Sequence, residues 1–163
     1  MEKKKIIIVN DQDEIIGSIE RDGVKRGDIY RVSALWLENS RGDVLLAQRS
    51  FSKKHNPGKW GPAVAGTNDE GETYDSNIIK EAEEEIGLTG LQFEKIQKVR
   101  VNSDYKYFCQ WYKIVLDRDL GDFTIDPIEV DAIRWFSREE LKKAIESESD
   151  KFVFSFKKFV QQG

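Results

Sequence analysis

Residues 66–90, "GTNDEGETYDSNIIKEAEEEIGLTG", form an acidic stretch bounded by glycines, and the rest of the chain is best interpreted from it. Thr73 is a suitable N-cap residue and Gly87 a suitable terminating glycine, so the pattern predicts a helix over residues 74–86. The apolar side chains of this segment recur at helical spacing, which indicates a face that packs on a core. The charges on the other face need a separate explanation.

The acidic face of the predicted helix admits two interpretations. At about 100° per residue, Glu81, Glu84 and Glu85 fall on one arc. The arc expected to face the core holds four apolar residues: Ile78, Ile79, Ala82 and Ile86. Like charges at this spacing destabilise a helix by roughly 0.2–0.5 kcal/mol per pair. Either solvent screens them, as on most charged helix faces, or they bind a divalent cation, because Mg²⁺ and Mn²⁺ prefer oxygen ligands.

The spacing of the glycines and acids resembles the Nudix box, the motif of the Nudix superfamily. The box consists of a glycine, any five residues, glutamate, any seven residues, arginine-glutamate, a bulky apolar residue, any residue, two glutamates, any residue, glycine and a bulky apolar residue. Residues 66–88 match seven of its nine specified positions. At the other two, Lys80 replaces the arginine and Ala82 replaces a bulkier aliphatic residue.

The resemblance implies a metal site on the predicted helix. Glu81 and Glu85 would be the principal ligands. Glu84 would be a further ligand, directly or through water, and it is also a candidate catalytic residue. Gly66 would let the backbone come close to the metal, because a side chain at that position would obstruct it. The implied cofactor is Mg²⁺, with Mn²⁺ as the alternative.

Three further positions of the box have implied roles. Glu72 would hydrogen-bond back and hold the preceding loop on the helix, and Gly87 would end the helix. Lys80 is assigned a catalytic role beside the ligand carboxylates. Its ammonium is a point charge, whereas the usual arginine is a planar fork that can pin these carboxylates from two sides, so reduced activity is an open alternative.

The reaction implied by the resemblance is metal-dependent hydrolysis of a diphosphate linkage in a small molecule of the nucleoside diphosphate type. The metal would neutralise diphosphate oxygens and activate a water, and a carboxylate would take the proton of that water. The base is either Glu84 in the box or Glu129 in "DPIEVDAIRWFSREEL", where the family often places a functional glutamate six residues before a tryptophan. An ordinary loop acid is the alternative for Glu129.

The segment before the box, residues 9–66, resembles the branch of the superfamily that contains isopentenyl diphosphate isomerases and related hydrolases. Such isomerases need a cysteine and histidines around the metal. In this chain Ala65 stands in the cysteine position, Tyr30 replaces a histidine before Arg31, and His55 is the single histidine. The isomerase reaction is therefore disfavoured, and a Nudix-fold module that binds without turnover is the other alternative.

Basic and aromatic side chains near the box are candidates for substrate binding: Arg31, Arg49, Lys59 and Trp60. Arg49 and Lys59 flank the loop "FSKKHNPGKWGPAVAG" and would meet the substrate phosphates, with solvated charge as an equal alternative for Lys59. Trp60 would stack on a base, although core packing is the favoured alternative.

The predicted fold is a mixed α/β Nudix fold in which a β-sheet lies between helices. Strands are expected over residues 5–9, 15–20, 63–65, 93–101, 105–116 and near 132–136, with a hairpin over 30–50. Besides the box helix, helices are predicted over 137–148, opened by a capping box from Ser137 to Glu140, and over 152–162. A chain of 163 residues fits one domain, 1–163, with the strands of residues 1–30 as an extension and the box at 66–88.

Composition limits the classes of partner. A net charge of -4 and a pI near 5.2 disfavour a nucleic-acid polymer, because binding to phosphate backbones depends on lysine and arginine. The longest apolar runs are too short to span a bilayer, and no signal region is recognised after Met1. A single cysteine excludes an internal disulfide, so a reducing compartment, the cytoplasm, is expected. A homodimer stays an open expectation.

Overall fold

The computed structural model of the protein describes residues 4–162, which form one mixed sheet between helices. The strands are β1 Lys5–Val9, β2 Ile15–Glu20, β3 Ile29–Glu38, β4 Val44–Arg49, β5 Trp60–Pro62, β6 Val64–Thr67, β7 Glu94–Asn102, β8 Lys106–Val115 and β9 Val130–Phe136. The α-helices are α1 Tyr74–Ile86, α2 Arg138–Ser147 and α3 Phe154–Gln162. In this described part of the chain, no helix is long and apolar enough to cross a membrane. The predicted α/β class, with a mixed sheet between helices, is confirmed.

Strand β3 is the axis of the sheet. It runs parallel to β8 along its whole length, from Ile29 opposite Lys106 to Glu38 opposite Val115. It also pairs antiparallel with β1, β6 and β4, each over a different segment. Successive residues of a strand point to opposite faces of the sheet, so β3 contributes side chains to the packing on both sides.

Each face of the sheet carries its own hydrophobic core. On one face, Leu35 of β3 lies in a cluster with Ile78 and other apolar residues of α1. On the other face, the neighbouring Trp36 lies in a cluster with side chains of α2 and α3, where the rings of Trp111 and Phe159 stack 3.9 Å apart. Of the three α-helices described, α1 therefore packs on one face of the sheet, and α2 and α3 pack on the other.

The box helix begins and ends at the predicted residues. Ser76 N donates to Thr73 Oγ1 at 3.0 Å and Thr73 N donates to Ser76 Oγ at 2.9 Å, which makes a reciprocal capping box. Gly87 follows the last helical residue with a left-handed φ of 73°, and its N–H donates to Glu83 O at 3.1 Å. Local backbone chemistry thus sets both ends of α1.

The side of α1 that faces the core differs from the predicted one. Ile78, Ala82 and Ile86 are buried as expected, but 56% of Ile79 is exposed. The buried arc extends in the opposite direction and includes Glu85, of which 7% is exposed. The expected arc was defined by apolar residues alone, whereas the helix is rotated to bury a carboxylate. The prediction for Ile79 is therefore wrong.

The short strand predicted over residues 63–65 is in fact two strands, β5 and β6, separated by the buried Ala63. β5 pairs with β4, whereas β6 pairs with β3, so the chain changes its partner at Ala63. A single stretch of sequence does not reveal such a change, because it depends on the positions of the partner strands. The change brings residues 64–67 beneath α1, where the box begins.

The hairpin of β1 and β2 is fastened to the rest of the protein by Asp13, which lies in its turn with a φ of 61°. The Asp13 carboxylate accepts hydrogen bonds from Arg31 Nε at 2.8 Å, Lys98 Nζ at 2.7 Å and Tyr74 Oη at 2.8 Å. Burial would raise the pKa of Asp13, but the hydrogen bonds from Lys98, Arg31 and Tyr74 outweigh it and hold the pKa below its ordinary value. Asp13 thus links the hairpin to β3, β7 and α1.

We predict that Asp13→Asn lowers the free energy of unfolding by about 2–4 kcal/mol at neutral pH, because the donors around it lose a buried charged acceptor. Asparagine tolerates the left-handed backbone, so the substitution tests the charge and not the turn. Urea unfolding measures the change. Asp11→Asn is the matched control, since the Asp11 side chain is 79% exposed, and it should alter stability by no more than about 0.5 kcal/mol.

The effect of Asp13→Asn should depend on pH. Because the pKa of Asp13 is lower in the folded protein than in the unfolded chain, its stabilisation is present above the unfolded value and is lost as the pH falls through the folded value. The difference between wild type and Asp13→Asn should therefore shrink as the pH falls below about 4. A difference that stays constant down to about pH 3 would contradict this account.

Candidate active site

Glu81 and Glu85 lie one turn apart on the side of α1 that faces β6. Glu85 Oε1 accepts a long hydrogen bond from Ala65 N at 3.4 Å. A Cβ atom at Gly66 would lie 2.4 Å from Glu81 Cγ and 2.5 Å from Glu81 Cδ. Glycine is therefore needed at position 66, because the Glu81 side chain occupies the space that a larger residue would fill.

The two carboxylates influence each other strongly. Burial raises the pKa of Glu85 well above its ordinary value, and the hydrogen bond and charge of Glu81 raise it further. Burial also raises the pKa of Glu81, although its hydrogen bond with Glu85 and the charge of Lys80 oppose the increase. Carboxylates this close share a proton more readily than they ionise together. A cation between them would remove the need for that proton.

The Glu81–Glu85 pair fits a hard divalent cation. Mg²⁺ is commonly held by one or two carboxylates and keeps waters or substrate phosphates as its other ligands. Among residues 4–162, no group of three or more His, Cys, Asp and Glu side chains is arranged to hold a metal ion. Glu84 lies on the exposed side of α1, so it would reach a metal at the pair through water or by a change of rotamer. Its ligand and catalytic roles stay predictions.

The loop before α1 is braced by Glu72 and Lys80. Glu72 Oε1 accepts hydrogen bonds from Asp69 N at 2.6 Å and Asn77 Nδ2 at 3.2 Å, so it folds the loop back onto the helix. Lys80 Nζ lies 2.8 Å from Glu72 Oε2, 3.2 Å from Asp69 Oδ2 and 3.6 Å from Glu81 Oε1. Lys80 therefore connects the loop to one carboxylate of the pair.

Both charged groups of this brace are stabilised in their ionised forms. Burial lowers the pKa of Lys80, but Glu72 and Asp69 outweigh it and raise the pKa above its ordinary value. Burial raises the pKa of Glu72, but hydrogen bonds from Lys80, the Asp69 backbone and Asn77 outweigh it and lower the pKa. Sequence reasoning missed Asp69 and Asn77, which stand at unspecified positions of the box. The available signal was the turn-forming Asp69, three residues before Glu72.

Arg49 and Glu129 lie within electrostatic range of the carboxylate pair. Arg49 is half-buried, and its Nε donates to His55 O at 2.9 Å. Burial lowers the pKa of Arg49, and the charges of Glu85 and Glu129 are the main influences that oppose the decrease. An arginine remains charged in a protein despite such a shift. The structure thus brings a predicted phosphate contact and a predicted base towards Glu85.

The loop that carries Glu129 is tied to the elements on both sides of it. Asp126 N donates to Glu85 O at 3.0 Å, at the end of α1. Ser50 N donates to Glu129 O at 3.0 Å, and Lys53 Nζ lies 2.6 Å from Glu129 Oε2. Glu129 is therefore positioned both by the box helix and by the loop that follows β4.

The other predicted substrate contacts have different neighbours. Trp60 is partly buried in the core beneath α2 and α3, with its ring centroid 5.6 Å from that of Phe136. Arg31 donates to Asp13 and so takes part in anchoring the N-terminal hairpin. Lys59 is half-buried, and its carbonyl accepts a hydrogen bond from the Arg49 N–H at 2.9 Å. Substrate contact by these side chains stays a prediction.

A mixed sheet with an acidic loop–helix–loop packed on one face defines a Nudix-type domain. The chain belongs to the NUDIX domain family, whose model matches residues 29–156. Over 136 residues it is 26% identical to an uncharacterised Nudix hydrolase of Yersinia pestis, a match that covers 82% of this chain and 73% of that protein. Over 156 residues it is 25% identical to an isopentenyl-diphosphate Delta-isomerase of Enterobacter sp. (strain 638), covering 89% of this chain and 82% of that one.

Solved structures show the same fold. DR0079 from Deinococcus radiodurans matches with a TM-score of 0.84 and 23% identity, over 97% of this chain and 98% of that one. A MutT NUDIX hydrolase from Burkholderia pseudomallei matches with a TM-score of 0.66 and 17% identity, over 82% of this chain and 97% of that one. The predicted superfamily, with relatives in the isomerase branch, is confirmed.

We predict that Gly66→Ala weakens the binding of Mn²⁺ by about 10- to 100-fold while the protein stays folded, because the added methyl displaces Glu81 from the pair. Calorimetry with Mn²⁺ measures the affinity, and circular dichroism checks the fold. Gly17→Ala is the control, since a Cβ there meets nothing within 4 Å. Equal Mn²⁺ affinity in Gly66→Ala and Gly17→Ala would show that the close approach of Glu81 to position 66 has no part in metal binding.

Proposed function

We propose that the protein is a metal-dependent hydrolase of a diphosphate linkage in a small molecule of the nucleoside diphosphate type. The observation that carries the proposal is the Glu81–Glu85 pair, in which the partly buried Glu81 lies against Gly66 and the buried Glu85 accepts from Ala65 N. Membership of the Nudix family, whose enzymes generally use divalent metals, supports the same reaction class. The proposed metal is Mg²⁺, with Mn²⁺ as a substitute.

Each charged residue of the site has its own proposed role in this reaction. Glu81 and Glu85 would hold the metal, which when bound neutralises diphosphate oxygens and acidifies a water. Arg49, whose charge interacts with those of Glu85 and Glu129, would bind a phosphate oxygen. Glu129 would accept the proton of the attacking water at its carboxylate, with Glu84 as the alternative acceptor.

Lys80 has a supporting part in this scheme. Its ammonium is held by Glu72 and Asp69 and lies 3.6 Å from Glu81 Oε1, so it orients that carboxylate from one side. An arginine would span the same groups with a rigid fork, whereas a lysine gives a looser restraint. The pair keeps its position against Gly66 with the lysine in place, which supports a working site.

An isomerase-type reaction is the second candidate, because relatives with that name cover most of the chain. The arrangement of this chain's residues disfavours it. Ala65 lies beside Glu85 and carries no thiol. Cys109 is 2% exposed in the core beneath α2 and α3, where burial raises the pKa of its thiol. His55 makes a 2.6 Å contact between its Nδ1 and Tyr105 Oη in a loop.

A binding module without turnover is the third candidate, and metal affinity without product release would identify it. We propose a small-molecule diphosphate as the ligand and not a nucleic-acid polymer, in keeping with the net charge of -4. A homodimer and a cytoplasmic location stay predictions.

We predict that Glu85→Gln lowers the turnover of the active substrate at least about 100-fold, because the amide cannot replace the buried ligand carboxylate. The assay measures product release from nucleoside diphosphates and triphosphates, nucleotide sugars, dinucleoside polyphosphates and isoprenoid diphosphates, with Mg²⁺, Mn²⁺ or chelator. Glu83→Gln is the matched control, because Glu83 lies on the exposed side of the same helix.

The outcomes of this assay separate the candidates. Turnover that requires metal, is lost in Glu85→Gln and is kept in Glu83→Gln supports the hydrolase. Rearranged isoprenoid diphosphate without phosphate release would indicate the isomerase. Metal binding with no turnover of any substrate would make the protein a binding module, and Lys80→Arg would then test whether the lysine accounts for the missing activity.

A further inference from the structure

The loop after β4 meets the loop of the candidate base through an ion pair that the proposed chemistry does not use. Lys53 Nζ lies 2.6 Å from Glu129 Oε2, and the two side chains are 23% and 36% exposed. Backbone hydrogen bonds also hold the two loops together. Ser50 N donates to Glu129 O at 3.0 Å, and within the loop after β4 Lys53 N donates to Ser50 O at 3.2 Å. The ammonium thus binds one of the two oxygens of the Glu129 carboxylate.

Arg49 and Lys53, two cations of this part of the site, are held in different ways. The Arg49 guanidinium donates to the backbone carbonyl of His55, which fixes its orientation. Lys53 is bound at its tip by a side chain, and its ammonium sits on a flexible stem that can change partners. A partly exposed ion pair contributes little net stability, so a ligand of higher charge can displace one partner.

The charges around the metal site give a reason for such a displacement. The Glu129 loop is joined to the end of α1, because Asp126 N donates to Glu85 O at 3.0 Å. A divalent cation at Glu81 and Glu85 would offset the negative charge of Glu129 in place of Lys53. A bound diphosphate would at the same time bring oxygens towards Arg49 and the neighbouring Lys53.

We propose that Lys53 is a latch on Glu129 that responds to substrate. In the free protein its ammonium occupies Glu129 Oε2. When a diphosphate binds, the ammonium moves to a phosphate oxygen and leaves the carboxylate free to receive the proton of water. The inference rests on the proposed function for the class of ligand. In this scheme Lys53 is a substrate-binding residue, and its exchange of partners also releases Glu129.

The experiment measures the binding of methylenediphosphonate, a diphosphate analogue with a bridge that cannot be hydrolysed, by calorimetry in the presence of Mg²⁺. The proteins compared are wild type, Lys53→Met, Glu129→Gln and the double variant. Lys53→Arg tests rescue by a conserved charge. Lys54→Met is the matched control, since Lys54 is in the same loop but its side chain is 83% exposed, with its Nζ 3.6 Å from Asp22 Oδ1.

The latch predicts a specific coupling between positions 53 and 129. If Glu129 competes with the ligand for Lys53, Glu129→Gln tightens analogue binding about fivefold when Lys53 is present. In the Lys53→Met background the same change tightens binding by no more than about twofold. Lys53→Met alone weakens binding about tenfold. Lys53→Arg stays within about threefold of wild type, and Lys54→Met within about twofold.

Two binding results would overturn the latch. If Glu129→Gln tightens binding equally in wild type and in the Lys53→Met background, Glu129 is a general repulsive charge and not the competitor for Lys53. If the analogue does not bind wild type in the presence of Mg²⁺, a diphosphate cannot be the ligand that moves Lys53 away from Glu129. Unfolding curves of all variants show whether a change in binding reflects loss of the fold.

Measurements of turnover distinguish a failure of the latch from a failure of the proposed function. With a substrate from the panel, Lys53→Met should raise KM about tenfold and leave kcat within about threefold of wild type, because Glu129 stays available. Coupling between positions 53 and 129 without turnover of any substrate would support the exchange of Lys53 and contradict the hydrolase. Turnover without this coupling would support the hydrolase and contradict the latch. A loss of kcat in Lys53→Met as large as that in Glu129→Gln would also contradict the latch.

Discussion

The packing of Glu81 against Gly66 and of the buried Glu85 against Ala65 is the constraint on which the rest of the structure depends. Carboxylates out of water are unfavourable unless a proton or a cation lies between them. A helix oriented for packing alone would turn Ile79 inwards, yet 56% of Ile79 is exposed and only 7% of Glu85. The orientation of α1 therefore places charge where apolar surface would be more stable. Such a local conflict is typical of a functional site.

The elements around α1 keep this orientation in place. The capping box at Thr73 and the left-handed Gly87 fix the two ends of the helix. Glu72 and Lys80 hold the loop before it, and the Asp126 N–H binds the Glu85 carbonyl after it. With both ends restrained, the carboxylate pair cannot turn towards solvent without breaking several hydrogen bonds. The site is thus rigid on the helix side, whereas Lys53 on the opposite loop is held only by a partly exposed ion pair.

Much of the fold and part of the site could be predicted from the sequence because the signals are local. A capping residue and a terminating glycine determine the bounds of α1 within a few residues of chain. The exposure of Ile79 and the change of strand partner at Ala63 could not be predicted, since each depends on elements distant in sequence. The same holds for Arg31, whose partner Asp13 lies 18 residues away in a turn. The box pattern named Glu81 and Glu85 but not Asp69, because the pattern leaves that position unspecified.

Relatives with hydrolase and isomerase names both match most of this chain, so family membership alone does not decide the reaction. Which reaction this chain supports depends on the groups that lie beside the carboxylate pair. The cysteine and histidines that the isomerase resemblance implies are missing there, and Ala65 offers only a methyl group and a backbone N–H to Glu85. The charged groups that act on the pair are Lys80, Arg49 and Glu129, and phosphate binding by Arg49 and proton acceptance by Glu129 are the roles proposed for two of them. That combination would suit the proposed cleavage of an anhydride by water.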